Sequence, residues 1–105
     1  FPDDAFDLWH DRAVFHFLTE AADRQACVRA ASRAIKPGGH LIIATFAEDG
    51  PQQCSGLPVV RYSAATLHAE FSPAFQLIET QHETHQTPFA TEQRFVYCHW
   101  RKPLA

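Results

Sequence analysis

An open α/β sheet with one reversed strand is the fold class this sequence predicts, and three observations predict it. Apolar segments of strand length alternate with amphipathic segments of helix length from Ala5 to Phe71, the alternation that builds parallel sheets through helical crossovers. The segment HLIIATF, His40 to Phe46, is apolar at consecutive positions, which marks a strand covered by helices on both faces. The last two strand segments, Phe75 to Thr84 and Arg94 to Trp100, are joined by a short polar stretch around Pro88. That stretch is too short for a crossover, so this pair is expected to run antiparallel.

The elements follow in order. Ala5 to Trp9 reads as a short buried strand that ends at the cluster His10-Asp11-Arg12. Ala13 to Leu18 reads as a helical turn. Thr19 is placed to cap the next helix, with Glu20 and Asp23 as acids in its first turn. Ala22, Ala26, Ala30 and Ala34 form one four-residue row, and Cys27, Ala31 and Ile35 the adjacent one. This is a narrow alanine-rich stripe suited to lying close against a sheet. Lys36-Pro37-Gly38-Gly39 ends the helix. Ala47 to Val60 is a long loop, and loops of that length are functional or mobile. Ser63 caps a short helix, Ala64 to Phe71, stopped by Ser72-Pro73.

Composition narrows the function classes. The chain has 105 residues, 46% of them hydrophobic, and a net charge of −3. One domain, residues 1–105, is expected. The acids and bases are interspersed and only Lys36 and Lys102 are lysines, which argues against nucleic acid as a non-specific partner. No apolar run approaches the roughly 20 residues of a membrane span. Cys27, Cys54 and Cys98 are odd in number and widely spaced, which argues for a reducing compartment, the cytoplasm, and against a disulfide framework. No CxxC pair is present, and His82 and His85 are three apart on an expected strand, facing opposite sides. No metal is expected. There is no methionine, and the chain is read as part of a longer protein.

This order, with these residues, resembles the C-terminal half of a class I S-adenosylmethionine-dependent methyltransferase. The family's sheet runs 3-2-1-4-5-7-6 with strand 7 antiparallel. FDLWH resembles strand 4, the helix ending in Lys36-Pro37-Gly38-Gly39 with the strand after it resembles the family's C-terminal signature, and FQLIETQHET and RFVYCHWRK resemble strands 6 and 7. WHDRAVFHFL is closest to bacterial small-molecule enzymes of the thiopurine and tellurite-resistance kind. The resemblance covers essentially the whole chain and implies a partial Rossmann-like sheet, 4-5-7-6, with flanking helices. It implies S-adenosylmethionine as cofactor and a small-molecule methyl acceptor. The family's Gly-rich turn and the acid ending strand 2 are not in this sequence, so the chain alone is expected to be inactive. The strand 4 edge is left bare, and a bare edge is a pairing template. A homodimer through that edge is expected.

In open α/β sheets ligands sit beyond the C-terminal ends of parallel strands, near the switch in strand order. The resemblance puts that switch beside FDLWH. It therefore implies that Trp9, Asp11 and Arg12 face the cofactor and that His10, Asp11 and His16 are candidates to orient or deprotonate the acceptor. Phe46, at the same rim, and Arg61 and Tyr62, before the short helix, are candidates for the acceptor pocket, together with the loop residues Cys54, Ser55, Gly56 and Pro58. Each residue has a second reading. Asp11 and Arg12 also suit a helix cap and a surface ion pair. His16 between two phenylalanines also suits hydrogen-bonded packing, Trp9 a place in the core, and the loop a mobile surface segment. Cys98 reads as a small core residue.

Two other functions compete. One is a non-catalytic α/β interaction module that dimerises through its sheet edge. The other is half of a nicotinamide-dependent dehydrogenase, disfavoured by the reversed strand and the Lys36 to Gly39 turn.

Overall fold

The computed structural model describes residues 2–54, 56–88 and 92–104. The elements are β1 (Phe6–Arg12), a 3-10 turn (Phe15–Phe17), α1 (Ala21–Ala34), β2 (Ile35–Phe46), β3 (Gln53–Cys54), β4 (Leu57–Pro58), α2 (Ala64–Phe71), β5 (Gln76–Gln86) and β6 (Glu92–Arg101). The main sheet has the order β1-β2-β6-β5. β1 and β2 are parallel, and β6 is antiparallel to both β2 and β5. This is the expected 4-5-7-6 arrangement with its reversed strand.

Strand alternation explains where the core sits. Leu41 and Ile43 of β2 and Val96, Cys98 and Trp100 of β6 point to one face and pack with Ala31 of α1 and Leu67 and Phe71 of α2. Both helices therefore cover the same face. HLIIATF does not have helices on both sides, as its apolar run suggested. On its other face Ala44 and Phe46 pack with Phe95, and Cys54 and Val59 of the 47–60 loop lie against them. That loop is thus pinned at its second half, where the Val60 N–H also reaches the His16 carbonyl at 2.8 Å. Ser55 lies outside the described residues.

Two local expectations about α1 are corrected. The N-cap is Glu20, not Thr19. The Thr19 carbonyl is instead held by the Arg24 guanidinium at 3.0 Å, so the helix starts one residue later. Ala22, Ala26 and Ala30 are exposed, and the inward side is Cys27, Val28, Ala31 and Ala34. By contrast α2 is capped as expected. Ser63 Oγ accepts the Thr66 N–H, and Thr66 Oγ1 accepts the Ser63 N–H, a reciprocal capping box.

The Lys36 to Gly39 turn is not a simple helix stop. β2 begins at Ile35, which already pairs with Phe6, and the next pair is Leu8 with His40. Lys36 to Gly39 bulge out between these pairs. Gly38 has φ +81°, a region costly for other residues. A Cβ on Gly39 would lie 2.6 Å from Ile35 Cγ2 and 2.8 Å from the Lys36 carbonyl. The tail closes over this turn. The Gly38 N–H donates to the Lys102 carbonyl at 2.8 Å, Lys102 N–H to the Gly39 carbonyl at 2.9 Å, and Lys102 Nζ to the Ile35 carbonyl at 2.8 Å. Lys102 Nζ also lies 3.7 Å from Asp4.

The two outer strands differ in how they meet water. β5 is exposed along Glu79 to Gln86 and carries Glu79, His82, Glu83 and His85, the charged pattern that discourages edge pairing. β1 presents Leu8, 53% exposed, with Phe6, Trp9 and His10 lining a shallow recess along its edge.

Candidate functional site

The C-terminal end of β1 turns back on itself through Ala13. Ala13 has φ +62° although it is not glycine, a conformation that costs an L-residue about 1–2 kcal/mol. Two contacts hold it there. The Ala13 N–H donates to the Ala44 carbonyl at 2.9 Å, and Asp11 Oδ1 accepts the Val14 N–H at 3.2 Å. Strained backbone of this kind gathers at functional sites because the surroundings must over-determine it.

His10, Asp11 and Arg12 all belong to β1, which continues past Trp9. Successive strand residues point to opposite faces, so the three are separated. Asp11 lies on the helix side. It is half-buried, and loss of hydration raises its carboxyl pKa, while the Val14 and Phe15 backbone and His10 pull it down. Asp11 in turn helps burial raise the Cys27 thiol on α1. Arg12 crosses the opposite face. Its Nε donates to Tyr97 Oη at 2.8 Å, its guanidinium stands 4.4 Å from the Phe95 ring centre, and Glu83 lies 3.6 Å away. The Asp11–Arg12 ion pair does not form, and Arg12 is turned away from Asp11. His10 is exposed on the Arg12 face, beside a recess it shares with Ile42, Glu79 and His99. Trp9 packs partly against the core, edge-on to Phe6 with ring centres 6.3 Å apart.

His16 and Phe46 are brought together beneath this rim. His16 is fully buried. Its Nδ1 accepts the Phe46 N–H at 3.1 Å, and the two ring centres are 4.6 Å apart. Burial lowers its pKa to about 4, opposed by the Ala13 backbone. The ring is neutral at neutral pH and shut off from solvent, and its bond to Phe46 ties the turn after β1 to the end of β2. Tyr62 joins the same layer. Its N–H donates to the Phe46 carbonyl at 3.0 Å, and it pairs with Ala47 as a parallel bridge. Its ring is buried against Phe15, and burial raises the phenol to about 12. Phe46 therefore floors the region, while Tyr62, buried as it is, also lines a recess of about 350 Å³ with Ala47, Glu48, Asp49, Ser63 and His82. Arg61 is exposed and donates to the Gly50 carbonyl at 3.3 Å.

Sequence reasoning missed Arg24. This guanidinium, with 17% of its side chain exposed, pairs with Glu70 of α2 at 3.0 Å and donates to the Leu18 and Thr19 carbonyls. It fixes the chain leaving the 3-10 turn to both helices. An arginine among helix-surface residues carries no local signal for that role. Among the described residues no three His, Cys, Asp or Glu side chains are grouped to hold a metal ion, and no helix is long and apolar enough to cross a membrane.

Comparison with known proteins gives the fold a context. A family model described as a methyltransferase domain matches residues 1–43. No curated protein matches the sequence. Among solved structures, an S-adenosylmethionine-dependent methyltransferase from Methanosarcina mazei superposes with a TM-score of 0.79 at 13% identity, over 100% of this chain and 63% of its own. The Burkholderia thailandensis 1,6-didemethyltoxoflavin-N1-methyltransferase, solved with 1,6-didemethyltoxoflavin and S-adenosylhomocysteine, gives 0.73 at 18% identity, over 98% of this chain and 46% of its own. The [4+2]-cyclase SpnF gives 0.72 at 16% identity, over 100% of this chain and 52% of its own. The chain thus spans between 46% and 63% of the length of these structures. That a cyclase shares the fold means that chemistry must be argued from the site.

Proposed function

We propose that this chain, which has the fold of the C-terminal half of an S-adenosylmethionine-dependent methyltransferase, supplies one wall of the cofactor site and the adjoining acceptor region of an enzyme that methylates a small molecule. The observation that carries the reading is Asp11. Its carboxylate is half-buried at the C-terminal end of β1, raised by lost hydration, and among the described residues no lysine or arginine offsets it. A partly desolvated carboxylate offset only by the Val14 and Phe15 backbone and by His10 is costly to keep, and such groups mark functional sites.

S-adenosylmethionine, when bound, supplies an electrophilic methyl group on a positively charged sulfonium. The residues present fit part of it. Asp11 is the group to set against that positive charge, and the Trp9 and Phe6 rings at the β1 edge offer aromatic faces. Methyl transfer depends mostly on holding the acceptor in line. His10, exposed on the face of β1 opposite Asp11, is the residue placed to take a proton from acceptors that reach that face and must lose one. His16, Phe46 and Tyr62 hold the rim in place, and Arg61 is the exposed cation at its outer side. Arg12, engaged by Tyr97 and Glu83, braces β1 against β6 and β5. The chain alone is inactive in this reading, because the family's Gly-rich turn and the acid ending strand 2 are not in this sequence, and its free cysteines suit the cytoplasm.

Calorimetric titration of S-adenosylmethionine into this chain and into the complete product of its gene tests the proposal. Binding to the complete product and not to the chain is expected. No binding to either would overturn it.

One observation favours a second reading, the dimerising module. Leu8 stands exposed on the β1 edge beside the apolar Phe6 and Trp9, while β5 is exposed along its whole polar length. Light scattering across a concentration series is expected to show a dimer that Leu8→Lys disperses; a monomer at every concentration removes this reading.

A further inference from the structure

We propose that His40 and His99 form a two-imidazole site for a divalent transition-metal ion, Cu²⁺ or Ni²⁺, on the helix-free face of the sheet. His40 starts the stretch of β2 paired with β6, and His99 lies two residues before the end of β6, 59 positions on in sequence. Register makes them diagonal neighbours, since His40 pairs with Arg101 and Ile42 with His99. Their side chains close the gap. His40 Nδ1 and His99 Nε2 are 2.9 Å apart, with ring centres at 5.0 Å.

That separation is a hydrogen bond's, and it leaves both nitrogens close enough to converge, once the rings turn, on one ion bonded at about 2.0–2.1 Å. Imidazole nitrogens suit Cu²⁺ and Ni²⁺, and Cu²⁺ heads the affinity order for such sites.

Access and charge agree with this. His40 and His99 are half-buried, with no helix over them. His99 also lines a recess of about 260 Å³ with His10, Ile42, Glu79, Gln81 and Tyr97. Glu79, opposite His99 on β5, puts an anionic group there, its Oε1 accepting the Gln81 amide at 3.1 Å. Arg101, opposite His40, is the cation on that side. With no third clustered ligand among the described residues, water completes the coordination.

The protons balance. In the neutral pair one nitrogen carries the bridging hydrogen and the other accepts it. When the metal binds, that hydrogen moves to the other nitrogen of its own ring, each ring turns its lone pair to the ion, and no net proton is released. The terminal imidazole torsion is soft enough for this turn.

The test titrates CuCl₂ and NiCl₂ into this chain at neutral pH, followed by calorimetry, with electron paramagnetic resonance on the copper sample. One ion per chain is expected, with hyperfine splitting from two imidazole nitrogens. His40→Gln and His99→Gln, each checked for native circular dichroism, are expected to lose it, while His82→Gln and His85→Gln retain it. Absence of saturable uptake by the native chain, a spectrum with fewer than two nitrogens, or uptake unchanged in both His40→Gln and His99→Gln would overturn the proposal. The nitrogen count on native protein decides the matter if either variant fails to fold.

Discussion

His16 Nδ1 accepts the backbone N–H of Phe46 at 3.1 Å, and so one imidazole joins the turn after β1 to the last residue of β2. The bond requires an unprotonated Nδ1. Folded His16 titrates at about 4, against 6.5 ordinarily. Between these values the unfolded chain binds more protons than the folded one, so stability rises with pH. The contribution is complete above the ordinary value and is lost as pH falls from about 6.5 toward 4. It amounts to about 3 kcal/mol at most, taking about 1.4 kcal/mol per pKa unit. Urea unfolding at stepped pH is expected to show this slope, and His16→Gln, which keeps an acceptor without titrating there, is expected to flatten it.

Asp11 works in the opposite sense. Its folded pKa is raised, mainly by lost hydration, so the folded state holds the proton more tightly than the unfolded one. Stability from this group is present at low pH and is lost as pH rises through the carboxylate range. Asp11→Asn keeps an oxygen for the Val14 N–H and removes the charge. Thermal melts at pH 7 are expected to show a higher Tm for Asp11→Asn, with the gap closing below pH 4. In the complete gene product the same variant is expected to weaken S-adenosylmethionine binding about tenfold or more, the equivalent of about 1.4 kcal/mol. A variant that is less stable at neutral pH contradicts the first expectation, and unchanged affinity the second.

The glycines give an internal contrast. Gly39→Ala drives a Cβ into Ile35 and the Lys36 carbonyl, and overpacking of this kind costs about 1–3 kcal/mol. Gly56 has φ +78° but open space around it, so Gly56→Ala is expected to cost only about 1–2 kcal/mol of backbone conformation. Chemical denaturation of both variants checks the order. Gly39→Ala is also expected to loosen the Lys102 tail, read as faster amide exchange at Lys102.

Ala13 permits a gain. Its φ of +62° is free of steric cost for glycine, so Ala13→Gly is expected to stabilise the chain by about 1 kcal/mol, less the added entropy of the unfolded state. A destabilised variant would mean that the methyl group's packing against Phe46 and Ala44 outweighs the strain.

Much of this architecture is legible without coordinates, because it rests on local signals. Ser63 three residues before Thr66, and an apolar pair at Leu67 and Phe71, specify α2 to the residue. The short link between the last strands gives their direction, and the strand order follows from the resemblance. What escapes is set by partners far away in sequence. Asp11 and Arg12 read as one cluster, yet period-two alternation sends Arg12 to Tyr97, 85 positions on. HLIIATF is apolar on both faces, but only one face has helices to meet. Thr19 is a good cap by type, and loses the role because Arg24 holds its carbonyl. His16 and Trp9 had a packing reading beside the functional one, and for His16 the hydrogen bond to Phe46 favours packing.

The clip between Asp4 and Lys102 has a topological consequence. It brings the entry to β1 and the exit from β6 to the same corner, 3.7 Å apart at the charged atoms. Two points of a backbone that meet in this way bound a nearly closed loop from Asp4 to Lys102, and such a loop can be opened elsewhere without changing which of its strands are neighbours. Joining Asp4 to Lys102 through a short glycine linker and breaking the chain between Glu48 and Gln52 would leave every pairing of the four-stranded sheet intact. The order of the elements along the chain is then a choice among rotations of one cycle, and only the contacts across the sheet are obligatory.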